Sequence, residues 1–258
     1  MINQNLHLQP AALDSQQHRQ LKLKLPVSDW SVADKLNALF VATAEFGDVC
    51  REFPIVFVNA GKEPDGSDAI APIAVFGLVQ GQNLFVASSR WRAMYMPAVL
   101  RMYPFALARM DEQRYAVCID TAFAGLAEEG GEALFAADGT PSSRVVEVQK
   151  QMEVLEAETQ RTRTVCRRLH ELGLLQDMRF DATLPDGSSH TVDGFLTIDE
   201  KKVSDLPEAT VLELHRNGML GLMHLHWVSM GNMRKLVEWH VERLAAPPRP
   251  ASPAPTVQ

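Results

Sequence analysis

PSSRVVEVQKQMEVLEAETQRTRTVCRRLHELG, residues 141–173, decides how the rest of the chain is read. Pro141 stands before a long periodic run and Gly173 after it, as helix start and stop signals do. Val145, Val148, Met152, Leu155, Thr159, Thr162, Cys166 and Leu169 recur at spacings of three and four, which makes one stripe down a helix from Ser142 to about Leu172. The stripe could be a coiled-coil seam, but its middle is threonine, so packing on a sheet is the better reading. Arg161, Arg163, Arg167 and Arg168 lie to the sides of that stripe or on its solvent side. Glu153, Glu156 and Glu158 balance them, so they describe a solvated face rather than a nucleic-acid surface.

Strands flank this helix. Upstream, Leu21–Leu25 alternates apolar with basic, a half-buried strand with Lys22 and Lys24 outward. Residues 32–44 read as loosely helical. Arg51–Val58, Ile70–Val79 and Asn83–Ser88 are rich in β-branched and aromatic residues, and Gly81 suits a tight hairpin between the last two. Phe105–Met110 and Arg114–Asp120 form a further hairpin around residues 111–113. Residues 51–120 therefore read as an antiparallel meander, interrupted by RWRAMYMPAVLRMYP. Downstream, Met178–Leu184 and Ser189–Asp199 surround the turn signal Pro185-Asp186-Gly187. A helix capped by Asp205 ends at Gly218, and a last helix runs from Met219 to Leu244.

The predicted fold is α+β: an antiparallel β-sheet covered by one long helix and a C-terminal helical pair. Residues 1–17 are expected to be a flexible N-terminus, 18–244 a single domain, and 245–258 a disordered Pro-rich tail.

Composition narrows the function classes. The net charge of −7 over 258 residues argues against a surface built for phosphates or anionic lipid. The three cysteines are dispersed without a CxxC, which reads as small buried hydrophobes rather than disulfides or a thiolate metal site. No signal segment and no spanning run is read, so the expected setting is the cytoplasm. No phosphate loop, dinucleotide fingerprint or metal motif is present, and no cofactor or metal is implied.

Two stretches carry the polar interest. In HLHWVSMGN (224–232), helical geometry turns His224 outward and sets His226 and Ser229 together on the apolar face. The pair is either a satisfied core histidine or, with Asp120 or Asp199, the weak outline of a catalytic site. Asp199 and Glu200, being adjacent on a strand, do not form an acid/base pair by themselves. In Arg90–Phe105, Trp91, Tyr95 and Tyr103 interleave with arginines that include Arg101, the mixture of a recognition surface. The plainer alternative buries the aromatics and pairs Arg101 with an internal acid such as Asp120.

FPIVFV, GLVQGQNLFV, the Trp91/Tyr95/Pro97 spacing, Arg101 followed by Tyr103-Pro104-Phe105, CID, GEALFAADGTPS and LPEATVLELHRNGMLGLMHLHWVSMGN stand in an order that resembles the bacterial SapC family from about His18 to Leu236. In that family's C-terminal pattern, Tyr-Ala-His-Leu-x-Ser, His226 and Ser229 fall on the histidine and serine, and His224 stands where an aromatic is usual. A basic residue common at position 102 is Met102 here. The resemblance implies an association with bacterial surface-layer gene clusters. The aromatic and arginine density of Arg90–Phe105, without a recognisable catalytic constellation, favours an accessory or binding protein over an enzyme. Such a protein would have a protein or peptide partner and serve surface-layer or envelope export or substrate modification; a homo-oligomer stays open. The membrane permease that shares the family's name is a different protein.

Overall fold

A computed structural model describes residues 2–63, 65–110, 115–183 and 189–245. The turn predicted at 185–187, the joint at 111–113 and all of the predicted tail beyond residue 245 lie outside these residues. From the N-terminus the chain forms β1 (Pro10–Ala12), β2 (Lys22–Leu23), β3 (Ala38–Phe40), α1 (Phe46–Val49), β4 (Ile55–Lys62) and β5 (Asp68–Val75). Next come β6 (Val86–Ala87), β7 (Arg90–Trp91), α2 (Ala98–Arg101), β8 (Phe105–Arg109), β9 (Tyr115–Asp120), β10 (Leu126–Ala127) and β11 (Glu132–Ala133). The C-terminal part holds α3 (Ser143–Glu171), β12 (Leu175–Thr183), β13 (Ser189–Ile198), α4 (Glu200–Ser204), α5 (Glu208–Arg216), α6 (Met219–Met230) and α7 (Met233–Ala245). The architecture is α+β with antiparallel pairing throughout.

The long helix forms where the sequence places it. The Ser142 hydroxyl accepts from the Val145 amide at its N-terminus. At its C-terminus Gly173 takes φ +65°, the left-handed conformation that glycine adopts freely. There Leu174 N–H reaches Leu169 O at 3.1 Å and Gly173 N–H reaches His170 O at 2.9 Å. These two bonds satisfy carbonyls that the helix end would otherwise leave bare.

The strands do not make one meander. The main sheet has the order β12-β13-β4-β5-β3. A second sheet, β1-β9-β8, takes the hairpin Phe105–Asp120 away from it, and a third is the small β10-β2-β11. Each large sheet has its own apolar cluster. Phe53, Phe57, Phe76 and Phe85 centre the first; Phe105, Ile119, Leu134 and Met152 lie in the second. Helix α3 spans both. Val145, Val148 and Met152 belong to the second cluster, Cys166 and Leu169 to the first. The threonines in mid-stripe, Thr159 and Thr162, lie within the stretch that faces the first cluster, where Thr162 Oγ1 accepts from the Thr43 amide at 2.9 Å.

Other departures from the sequence reading have local causes. In the N-terminal segment Leu6 is fully buried and β1 pairs with β9, covering one edge of the second sheet. Strand β2 lies between β10 and β11. Residues 32–44 give up helix for β3, which pairs with Ile73–Val75. Gly81 does turn the chain, at φ +72°, but residues 83–88 do not pair along β5. The turn folds back so tightly that a Cβ on Gly77 would lie 2.0 Å from Gln82 O. Asp199 rather than Asp205 caps a helix, accepting from the Lys201 and Lys202 amides at the start of α4. The last helix breaks at Gly231-Asn232, where Asn232 Nδ2 donates to Cys50 O at 2.8 Å. The break re-aims α7, and Leu244 near its end is 59% exposed.

Candidate functional site

The polar residues singled out in the sequence fall at three separate places. The first is the junction of α6 with the main sheet. His226 and Ser229 are both fully buried, while His224 is exposed. Facing side by side, they do not bond to one another through their side chains. Each instead reaches a strand. His226 Nδ1 lies 2.9 Å from Ile55 O, and Ile198 N–H donates to His226 Nε2 at 3.1 Å. An amide N–H can only donate, so Nε2 must accept and the ring proton sits on Nδ1, donating to Ile55 O. Ile55 N–H donates to Ser229 Oγ at 3.0 Å, and Trp227 Nε1 donates to Ile198 O at 2.9 Å.

These four bonds have one meaning. Strands β4 and β13 pair at Phe57 and Leu196. Two residues back along β4 is Ile55, and two residues on along β13 is Ile198, so these two would form the next rung. The imidazole stands in that rung. Three side chains of HLHWVSMGN thus satisfy all four backbone groups of Ile55 and Ile198. Burial in this dry position pulls the His226 pKa down to about 4, against the raising effect of the bond to Ile55. A depression of about 350 Å³ bordered by Asp199, Trp227 and Met230 lies outside, with His226 behind its wall and without exposed surface. Asp199 keeps its carboxylate on the α4 amides.

The second place is Asp120, also fully buried. Its carboxylate accepts from Leu8 N–H at 3.1 Å, Gln9 N–H at 2.8 Å, Ala122 N–H at 3.2 Å and Tyr103 Oη at 3.1 Å. It fastens the N-terminal segment to the second sheet. Arg101 is not its partner. Tyr103 is only 4% exposed, and burial followed by the Asp120 charge raises its phenol pKa. Asp120, Asp199 and His226 are therefore three separate anchoring points.

The third place is the segment from Val86 to Arg101. It begins with the β6–β7 hairpin, whose turn residues Ser88 and Ser89 take φ +49° and +62°. Side chains other than glycine occupy that region at a cost. Trp91 is half-buried, stacked on Phe53 and Phe85, with its Nε1 donating to Tyr95 O at 2.9 Å. Two glutamates from the preceding helical stretch then hold the backbone. Glu52 accepts from Met94 N–H at 3.0 Å and Tyr95 N–H at 2.7 Å. Glu45, 7% exposed, accepts from Ala42 N–H, Tyr95 Oη and Ala98 N–H. Arg101 lies 5.5 Å over the Tyr95 ring. At the crown Met94 is 99% exposed, although its own amide is tied down.

Of the four residues read as a recognition surface, Tyr95 and Arg101 meet at this strap, Trp91 forms its root, and Tyr103 turns inward to Asp120. Met94 was missed. Its sequence signal is weak, because its display depends on Glu52, which is remote in the chain. Arg92 is engaged within the molecule, 3.8 Å over the Trp239 ring and 3.6 Å from Glu242. The arrangement offers an apolar knob, an aromatic edge and guanidinium donors, which suits contact rather than bond-making chemistry.

The three cysteines are buried. Among the described residues no group of three or more His, Cys, Asp or Glu side chains could hold a metal ion, and no helix is long and apolar enough to cross a membrane. Neither a curated protein nor a solved structure significantly matches the chain. The model of one protein family does match, over residues 13–236, a span that includes the main sheet, the β8–β9 hairpin, the strap and the α6 junction. On that match the chain belongs to the SapC family.

Proposed function

We propose that this protein is a cytoplasmic, non-catalytic accessory protein that binds a protein or peptide partner through the strap, with Met94, Tyr95 and Arg101 as the contact residues. Its setting would be surface-layer or envelope export, or modification of an exported substrate. The observation that carries the reading is Met94. A large apolar side chain left in water gains nothing for the fold. Holding its backbone with a carboxylate removes part of the ordering cost that a partner would otherwise meet on binding. Methionine fills irregular apolar pockets, and arginine and tyrosine at the rim add directed contacts.

Affinity capture from the native host with the intact chain tests this. Met94→Ala combined with Arg101→Ala should abolish recovery of the specific partner and cost the fold no more than the exposed Arg101–Tyr95 ring contact, about 0.5–1 kcal/mol, since Met94 is 99% exposed. Undiminished recovery by the double variant refutes the assignment. The enzyme alternative, with His226 and Ser229 acting beside Asp120 or Asp199, gains little support from the geometry. Both ring nitrogens of His226 are committed to backbone, and the carboxylates are committed elsewhere.

A further inference from the structure

The main sheet keeps its core on one face and leaves part of the other open. Phe40 stands opposite Ile73, and Ala71 opposite Val58, so these four side chains share a face. All four are half-buried. Ile70, Pro72 and Ala74 alternate with them along β5 and are buried on the opposite face with Phe57. Helix α3 borders the open face with Thr159, Thr162, Arg163 and Arg167. The space between sheet and helix is a groove of about 930 Å³, within the range of pockets that hold small molecules.

The floor of this groove is apolar and, at Ala60, Ala69 and Ala71, low. From Ile73 to Ala69 it runs for about 13 Å, at roughly 3.3 Å per residue. A sheet face presents side chains only, because the backbone N–H and C=O groups point along the sheet to neighbouring strands. An occupant lying on it therefore meets no hydrogen-bond partner from below. A peptide backbone there would leave polar groups unpaired, whereas an alkyl chain has none to satisfy. The α3 wall adds little demand of its own, since the Thr159 and Thr162 hydroxyls return to Leu155 O and Glu158 O, each at 2.8 Å. The rim carries cations. Lys62 lies 2.7 Å from Asp68, Arg167 lies 3.8 Å from Glu63, and Arg109 is engaged within the molecule. Arg163 is half-buried and has no carboxylate partner among the described residues.

We propose that this groove binds a medium-chain fatty-acid anion, with its alkyl chain along the alanine floor and its carboxylate on Arg163. The floor is long enough for a chain of about ten carbons. A guanidinium gives a carboxylate two parallel, charge-assisted hydrogen bonds, and partial burial of Arg163 strengthens them. Arg167, one helical turn further on, adds charge at the same rim. In a chain whose net charge is −7, a cationic rim directs an anion to this place. The groove shares no residue with the strap, so either reading can fail without the other.

The test is a chemical-shift titration of the full chain, labelled at alanine and valine methyls, with decanoate below its micelle concentration. Octanoate, decyltrimethylammonium and a capped peptide of alternating valine and glutamate are the comparison probes. Decanoate should shift the Ala60, Ala69 and Ala71 methyls. Octanoate should bind about tenfold more weakly, since each buried CH₂ is worth up to about fourfold in affinity. The ammonium amphiphile should leave these methyls unmoved. Arg163→Gln should weaken decanoate binding by about tenfold or more. Ala71→Leu fills the floor without touching the charge and should abolish it, with the remaining methyl spectrum showing that both variants are folded. The proposal is overturned if decanoate does not move the alanine methyls, or if octanoate or decyltrimethylammonium binds as well as decanoate. Undiminished decanoate binding by Arg163→Gln or by Ala71→Leu overturns it too. So does a peptide that moves these methyls where decanoate does not, which would give the groove to a polypeptide.

Discussion

Replacing His226 tests whether its ring is a rung of the sheet. The wild-type imidazole must stay neutral to accept from Ile198 N–H, and its pKa falls from the ordinary 6.5 to about 4 in the folded protein. Between those values the unfolded chain binds the proton and the folded chain does not. The stability that the neutral ring contributes is therefore fully present above pH 6.5 and is lost as pH falls toward 4. A gap of roughly two and a half pH units at about 1.4 kcal/mol each makes the total loss roughly 3 kcal/mol. Urea unfolding followed by tryptophan fluorescence from pH 7.5 to 4.5 measures it. His226→Gln should flatten the curve below pH 6.5 relative to wild type. His7, whose pKa burial also lowers, titrates in both proteins and cancels in the difference. His226→Phe keeps a ring but leaves Ile55 O and Ile198 N–H buried and bare. At about 1–3 kcal/mol for each group, the cost is about 2–6 kcal/mol at pH 7. A His226→Gln protein that loses stability with falling pH as steeply as wild type, or a His226→Phe protein within about 0.5 kcal/mol of it, refutes the reasoning.

Ser229→Ala removes the acceptor for Ile55 N–H and should cost about 1–3 kcal/mol by the same unfolding assay, with faster hydrogen exchange at Ile55. Gly77→Ala places a Cβ against Gln82 O at 2.0 Å, so the Gly77–Gln82 turn must move; a loss of about 1–3 kcal/mol is expected in thermal melts. Ser88→Asn with Ser89→Gly relieves two left-handed positions in the β6–β7 turn and should stabilise the protein by about 0.5–1 kcal/mol without altering partner capture. A destabilised double variant would mean that the serine side chains themselves hold the turn.

What was legible in the sequence depended on range. The helix Ser143–Glu171 shows in its caps and its period, both local. The hairpins that became β8–β9 and β12–β13 show as paired runs about a short polar joint, the second with a Pro-Asp-Gly turn signal. The joining of β9 to β1, and of β13 to β4, does not show, because partner choice between strands depends on surfaces remote in sequence. Position 32–44 misled for the same reason: β3 exists because β5 offers it an edge. The inward face of His226 and Ser229 could be read from helical geometry, but not the identity of Ile55 and Ile198 as their partners. The threonines in the α3 stripe were visible as a flaw in a seam. The partner of Thr162, the Thr43 amide 119 residues upstream, needed the tertiary fold.

A direct rung between Ile55 and Ile198 would need no side chain, so the use of three has to follow from something else. Neighbouring strands lie about 4.8 Å apart, and an imidazole placed between two of them adds its own width. Strand β13 must therefore splay from β4 beyond their pair at Leu196 and Phe57. That opening admits α6, whose Trp227 and His226 close it from above. The helix takes the part of a strand where β13 and β4 part beyond that pair. Here a histidine and a serine are required for the backbone they satisfy, and a nonpolar replacement of equal size leaves that backbone unpaired. This is why the chemistry suggested by HLHWVSMGN belongs to assembly. The same accounting points outward at Met94, a large apolar side chain that is 99% exposed although its backbone is held.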